Sequence, residues 1–135
     1  MSTHHRALRR TAAAAIAVVA ISALGTVAAA ASGGGHEVER RGSCSMSADW
    51  KLEAKADDGR IEVEAEVESH QSGQTWTWRI LHNGGVSAHG TSTTKPPSGS
   101  FEVERLLVNA PGPDQIGWRA TNAKSGETCS GGLTF

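Results

Sequence analysis

An all-β sandwich is the fold this sequence predicts, and three observations carry the prediction. Past residue 31 no stretch repeats its apolar residues with the helical period of about 3.6. Several short stretches alternate apolar and polar residues, which places every second side chain on one face of a strand. Between them, Gly, Pro, Asn and Asp clusters recur at about the 8–12-residue spacing of an all-β domain.

Residues 1–31 stand outside that pattern. Arg6, Arg9 and Arg10 make a basic head with no acid. An Ala-rich apolar run follows, and small residues close it around Ala30 and Ala31. This is the layout of a helical signal peptide, so the product is expected to be secreted, extracellular and free of the membrane after cleavage. Residues 32–43 open on Gly33-Gly34-Gly35 and continue with mixed charge, which reads as a flexible lead-in. Residues 44–135 are then one domain by size.

Within that domain, residues 50–56 put Trp50, Leu52, Ala54 and Ala56 on one face and Lys51, Glu53 and Lys55 on the other. Asp57-Asp58-Gly59 is a turn. Residues 60–69 alternate most strictly: Ile61, Val63, Ala65 and Val67 inward, Glu62, Glu64, Glu66 and Glu68 outward. Residues 74–91 form a hairpin. Trp76, Trp78 and Ile80 share its inner face, Asn83-Gly84 supplies the positive φ angles of a type I′ turn, and Val86 and Ala88 return on the inner side. Pro96-Pro97 marks a crossover or edge segment, because proline cannot donate to a ladder. In residues 101–108, Phe101 and Val103 point inward and Glu102 and Glu104 outward, and Arg105-Leu106-Leu107 interrupts the alternation, which suggests a bulge. Residues 115–121 place Ile116, Trp118 and Ala120 inward, and residues 127–135 close the fold.

Seven short strands in this order predict an antiparallel Greek-key sandwich, immunoglobulin-like or fibronectin-III-like. A small barrel such as an OB-fold is the alternative on strand count. Gly42-Ser43-Cys44, Trp50-Lys51-Leu52, His82-Asn83-Gly84 and Gly126-Glu127-Thr128-Cys129 are arranged as in a group of small secreted actinobacterial β-domain proteins of unassigned function, which the domain resembles along its whole length. So do Gly59-Arg60-Ile61-Glu62-Val63 and Ser98-Gly99-Ser100-Phe101-Glu102-Val103. The shared motifs are turns, cysteines and strand starts; the resemblance implies secretion and a β domain and brings no catalytic residue with it.

Cys44 and Cys129 are the only two cysteines, and they bracket the domain. In a chain sent to an oxidising compartment, they are expected to form a disulfide.

The remaining chemistry is sparse. No nucleophile elbow, P-loop or dinucleotide fingerprint is present, and no cofactor is implied. His82 and His89 fall on opposite faces of the hairpin, so that hairpin alone offers them no common metal. Without Arg6, Arg9 and Arg10, the 13 basic residues no longer balance the 14 acidic ones. The secreted product is acidic, which argues against nucleic acid as a partner.

The outward residues carry the functional expectation. Glu62, Glu64, Glu66, Glu68, Glu102 and Glu104 gather on one sheet face if their strands are neighbours, as fibronectin-like order makes them. Arg79, His89 and Arg119 mark the other sheet as polar and mildly basic. The reading is a non-enzymatic binding module for an unknown protein or cell-wall polymer, docking through the acidic face. A carbohydrate-binding or cell-wall-binding module is the alternative, with Trp50 at a strand end as the most accessible stacking residue.

Overall fold

The computed structural model describes residues 35–135. The expected signal segment, 1–31, and the start of the lead-in lie outside the described residues. Eight strands follow in chain order: β1 (Glu37–Ser43), β2 (Asp49–Asp57), β3 (Arg60–Glu68), β4 (Thr75–His82), β5 (Gly85–Thr93), β6 (Ser100–Val108), β7 (Gln115–Asn122) and β8 (Thr128–Thr134). They form two four-stranded sheets, ordered β1-β2-β3-β6 and β5-β4-β7-β8, and every neighbouring pair is antiparallel. No helix occurs among the described residues.

The core follows from the alternation. Leu52 and Ala54 of β2, Ile61, Val63, Ala65 and Val67 of β3, and Trp76 and Ile80 of β4 are all wholly buried, as is Trp118 of β7. Each large aliphatic side chain so placed contributes roughly 1.5–3 kcal/mol. Trp78 stacks on Trp118 at 6.1 Å, and Phe101 of β6 reaches across to Trp76 and Trp118 at 6.4 Å from each. Asp58-Gly59 and Asn83-Gly84 both have positive φ, so β2–β3 and β4–β5 are joined by two-residue turns whose twist matches the strands.

One side of the sandwich is closed covalently. Cys44, just past β1, is bonded to Cys129 of β8, with their Cα atoms 4.2 Å apart. Hydrogen bonds reinforce this corner. Ser45 N donates to Thr128 O, Thr128 N donates to Ser45 Oγ, and the buried Glu127 carboxylate accepts from the backbone of Met46 and Ala48.

The structure departs from the sequence reading in four places. The expected flexible lead-in contains β1, so there are eight strands where seven were expected. This strand has charges along it, and Val38 is its apolar residue against the core, so it lacks the alternation that marks a two-sided strand. The expected bulge at Arg105-Leu106-Leu107 is absent: the β3–β6 register runs unbroken from Arg60↔Val108 to Glu68↔Ser100. Arg105 simply takes an inward-facing position on an edge strand, where its guanidinium leaves the core and lies over the Trp78 ring, 5.1 Å from the centroid. The bulge sits in the β4–β5 pair at Ile80/Leu81 instead. It turns Val86 outward opposite Leu81, and Val86 is 55% exposed rather than on the inner side with Ala88.

Candidate functional site

The outer face of the β1-β2-β3-β6 sheet is built by strand register. β3 and β6 are direct neighbours, so Glu64 lies opposite Glu104 and Glu66 opposite Glu102. On its other side β3 meets β2, which sets Glu53 against Glu64, and β1 extends the line by pairing Glu39 with Glu53. Glu39, Glu53, Glu64 and Glu104 therefore form one row across all four strands. The six glutamates singled out by alternation do share a face. The row also takes in Glu53, which alternation places outward on β2, and Glu39 of β1, which lies in the stretch read as a flexible lead-in.

Cations are interleaved with these carboxylates. Lys51 Nζ pairs with Glu64 and lies 3.7 Å from Glu66, and Lys55 Nζ lies 2.5 Å from Glu62. Hydrogen bonding to Glu64 and Glu62 respectively raises the pKa of each lysine. Arg41 binds Glu39 at 2.7 Å and holds that carboxyl below its usual range. Glu53 and Glu102 fare differently. Partial burial, followed by the charges of Glu37 and Glu64, pushes Glu53 upward; partial burial, then Glu64, does the same to Glu102. Negative charge exceeds positive on this face, and the surplus is felt at those two groups.

The outer face of the β5-β4-β7-β8 sheet has the opposite character. Register aligns His89, Arg79, Arg119 and Ser130 in one row across the four strands. Two residues along, Thr91, Thr77, Thr121 and Thr128 make a second row. All eight residues are exposed. No Asp or Glu occupies an outward position of these four strands. Among the described residues, neither arginine makes an ion pair or a side-chain hydrogen bond. All residues of the two rows except Thr91 line a depression open to solvent.

The four tryptophans are in the core, not on a face. Trp50 is 9% exposed, its indole lodged between Gly42 and Gly131, where a Cβ on Gly131 would come within 2.1 Å of the ring. Trp78 donates from Nε1 to Ser92 Oγ, while Trp118 Nε1 has no partner among the described residues. Among the described residues, half-buried His82 and buried Asp114 form the one close carboxylate–imidazole pair, at 2.5 Å, at the tip of the β4–β5 hairpin. His82 stands in the His82-Asn83-Gly84 motif, but its contact with Asp114 is hidden by their chain separation. Among the described residues no three His, Cys, Asp or Glu side chains converge as metal ligands, and no helix is long and apolar enough to cross a membrane.

In comparisons with family models, with curated proteins and with solved structures, nothing matches the chain.

Proposed function

We propose that the domain is an extracellular, non-enzymatic binding module that docks a cationic partner on the outer face of the β1-β2-β3-β6 sheet. The observation that carries this reading is the row Glu39–Glu53–Glu64–Glu104. Like charges opposed on neighbouring strands oppose folding by about 0.2–1 kcal/mol a pair. Arg41 and Lys51 pair with Glu39 and Glu64, whereas Glu53 and Glu104 have no cation paired with them among the described residues. This unpaired part of the row is poorly accounted for as a stabilising device and well suited to meeting a basic protein surface. Secretion behind a cleaved signal peptide fits the Cys44–Cys129 disulfide, since such bonds persist in oxidising compartments.

The scaffold reading that goes with it is a fibronectin-III-like Greek key. In its support, β2, β3 and β6 share one sheet while β4, β5, β7 and β8 share the other, with β1 added at an edge. The stacking form of carbohydrate binding, with Trp50 as platform, loses support because that indole is buried.

The test is titration of the purified protein with a lysine-rich peptide at about 0.05 and 0.3 M salt, either side of the range where exposed charges become screened. Binding that weakens with salt and falls at least fivefold in Glu53→Gln/Glu102→Gln/Glu104→Gln supports the reading. Equal binding by that variant overturns it.

A further inference from the structure

The row on the opposite sheet asks for an anion. Arg79 and Arg119 are direct cross-strand partners, and His89 flanks Arg79 on the next strand. Two guanidinium groups held side by side repel one another. On the outer face of the other sheet, by contrast, Lys51, Lys55 and Arg41 each pair with a carboxylate. Here the two rows that cross the four strands supply only donors and hydroxyls: two arginines, a histidine, Ser130 and the threonine row. The depression they line is open to solvent and includes Thr77, Arg79, His89, Arg119, Thr121 and Ser130.

We propose that this face binds a linear phosphodiester polymer with hydroxylated repeat units, of the polyol-phosphate class. The chemistry selects the anion. A carboxylate holds its two oxygens in one plane, whereas a tetrahedral phosphodiester directs its two non-bridging oxygens out of the plane of its chain, so that each can accept from a different arginine. The geometry selects a chain. Four adjacent strands spread the row over about 14 Å, at roughly 4.8 Å a strand, so more than one unit of a polymer lies along it. The threonine row runs parallel at about 6.7 Å, two residues along each strand, within reach of the hydroxyls of such a repeat. A nucleic acid is a poorer fit. Single strands are held by exposed aromatic side chains on which bases stack, and the tryptophans here are all in the core.

The experiment measures binding of the purified protein to poly(glycerol phosphate), with polygalacturonate, an RNA oligonucleotide of similar charge and neutral dextran as comparators. Arg79→Gln/Arg119→Gln should weaken poly(glycerol phosphate) binding at least tenfold. It should also shallow the dependence of log K on log salt by about 1–2, the number of phosphate contacts removed. The Glu53→Gln/Glu104→Gln variant changes the net charge by as much on the other sheet and should leave the affinity unreduced, so failure here and failure of the acidic-face reading are separable. Both arginines are exposed and repel one another, so melting should be unchanged or slightly raised. Should the double variant not fold, Ser130→Glu puts a carboxylate into the row and should produce the same loss. Less than a twofold change in these variants would overturn the proposal. So would equal or tighter binding of polygalacturonate, RNA or dextran.

Discussion

The imidazole Nε2 of His82 lies 2.5 Å from Oδ1 of the buried Asp114. His82 ends β4 and Asp114 precedes β7, so the contact pins the hairpin tip to the loop that leads into the neighbouring strand. Asn83 completes the tie: its Nδ2 donates to Asp114 and its Oδ1 accepts from Gln115 N. The backbone of Asp114 exchanges two hydrogen bonds with Phe135, which draws in the end of the chain.

This tie has a pH signature. Burial raises the Asp114 pKa, but hydrogen bonds from His82 and Asn83, with one from the Ala110 backbone, outweigh burial and leave it lowered. A lowered carboxyl pKa contributes stability that is present above the unfolded value, about 3.9, and lost as pH falls through the folded value. Asp114→Asn should therefore destabilise the domain at pH 7 by about 1.5–3 kcal/mol, the range for hydrogen bonds to a charged group. It should also flatten the acid limb below about pH 4. Denaturant melts between pH 2 and 7 on both proteins check this.

Reduction of Cys44–Cys129 should cost about 4.5 kcal/mol by the chain-entropy model, for two residues separated by 85 positions. The folded corner should survive, because Glu127, Ser45 and Thr128 hold it by hydrogen bonds independent of sulfur. Denaturant unfolding with and without reductant measures the loss. A spectrum of the reduced protein in water that still shows buried tryptophan confirms that the effect lies chiefly in the unfolded chain.

Gly131→Ala should destabilise strongly, because its Cβ would stand 2.1 Å from the Trp50 indole. Overpacking of this kind costs about 1–3 kcal/mol. Trp50→Leu on its own opens a cavity and is also destabilising. The two changes relieve each other, so their combination should be less damaging than the sum. A double-mutant cycle by urea melts should give a coupling of at least 0.5 kcal/mol.

What the sequence made legible follows from how local each signal is. β3 alternates over its whole length because both neighbours and the opposite sheet constrain it, and its inward and outward residues fall where alternation puts them. Asn83-Gly84 encodes its turn in two residues. β1 escaped because an edge strand with one apolar contact, Val38, needs no alternation. Arg105 simulated a bulge because an edge position lets an inward-directed arginine reach solvent over Trp78. The acidic face was legible as six glutamates on two strands. Its four-strand row was not, and neither was the position of Lys51 between Glu64 and Glu66, because register is a property of pairing rather than of any one strand.

That position decides which glutamates can be neutralised without harm. Glu64, Glu66 and Glu62 each face a lysine, and removing Glu64 and Glu66 together would strip Lys51, whose side chain is only 16% exposed, of both partners. Glu53 and Glu102 have no such cation bound to them, and their pKa values are raised, first by partial burial and then by neighbouring carboxylates. A raised carboxyl pKa contributes stability that is complete below the unfolded value, about 4.3, and lost as pH climbs through the folded value. Their surroundings therefore oppose the charged form of both groups. Glu53→Gln/Glu102→Gln should raise stability at pH 7 by about 0.2–1 kcal/mol for each like-charge pair relieved. The gain should shrink toward pH 4, where the wild-type carboxyls take up protons, and at about 1 M salt, where the Debye length is near 3 Å. Glu64→Gln/Glu66→Gln should be destabilising under the same neutral, low-salt conditions. Thermal melts of the two double variants across pH and salt check the pair. Similar shifts in both would mean that the pairing with Lys51 is immaterial to stability.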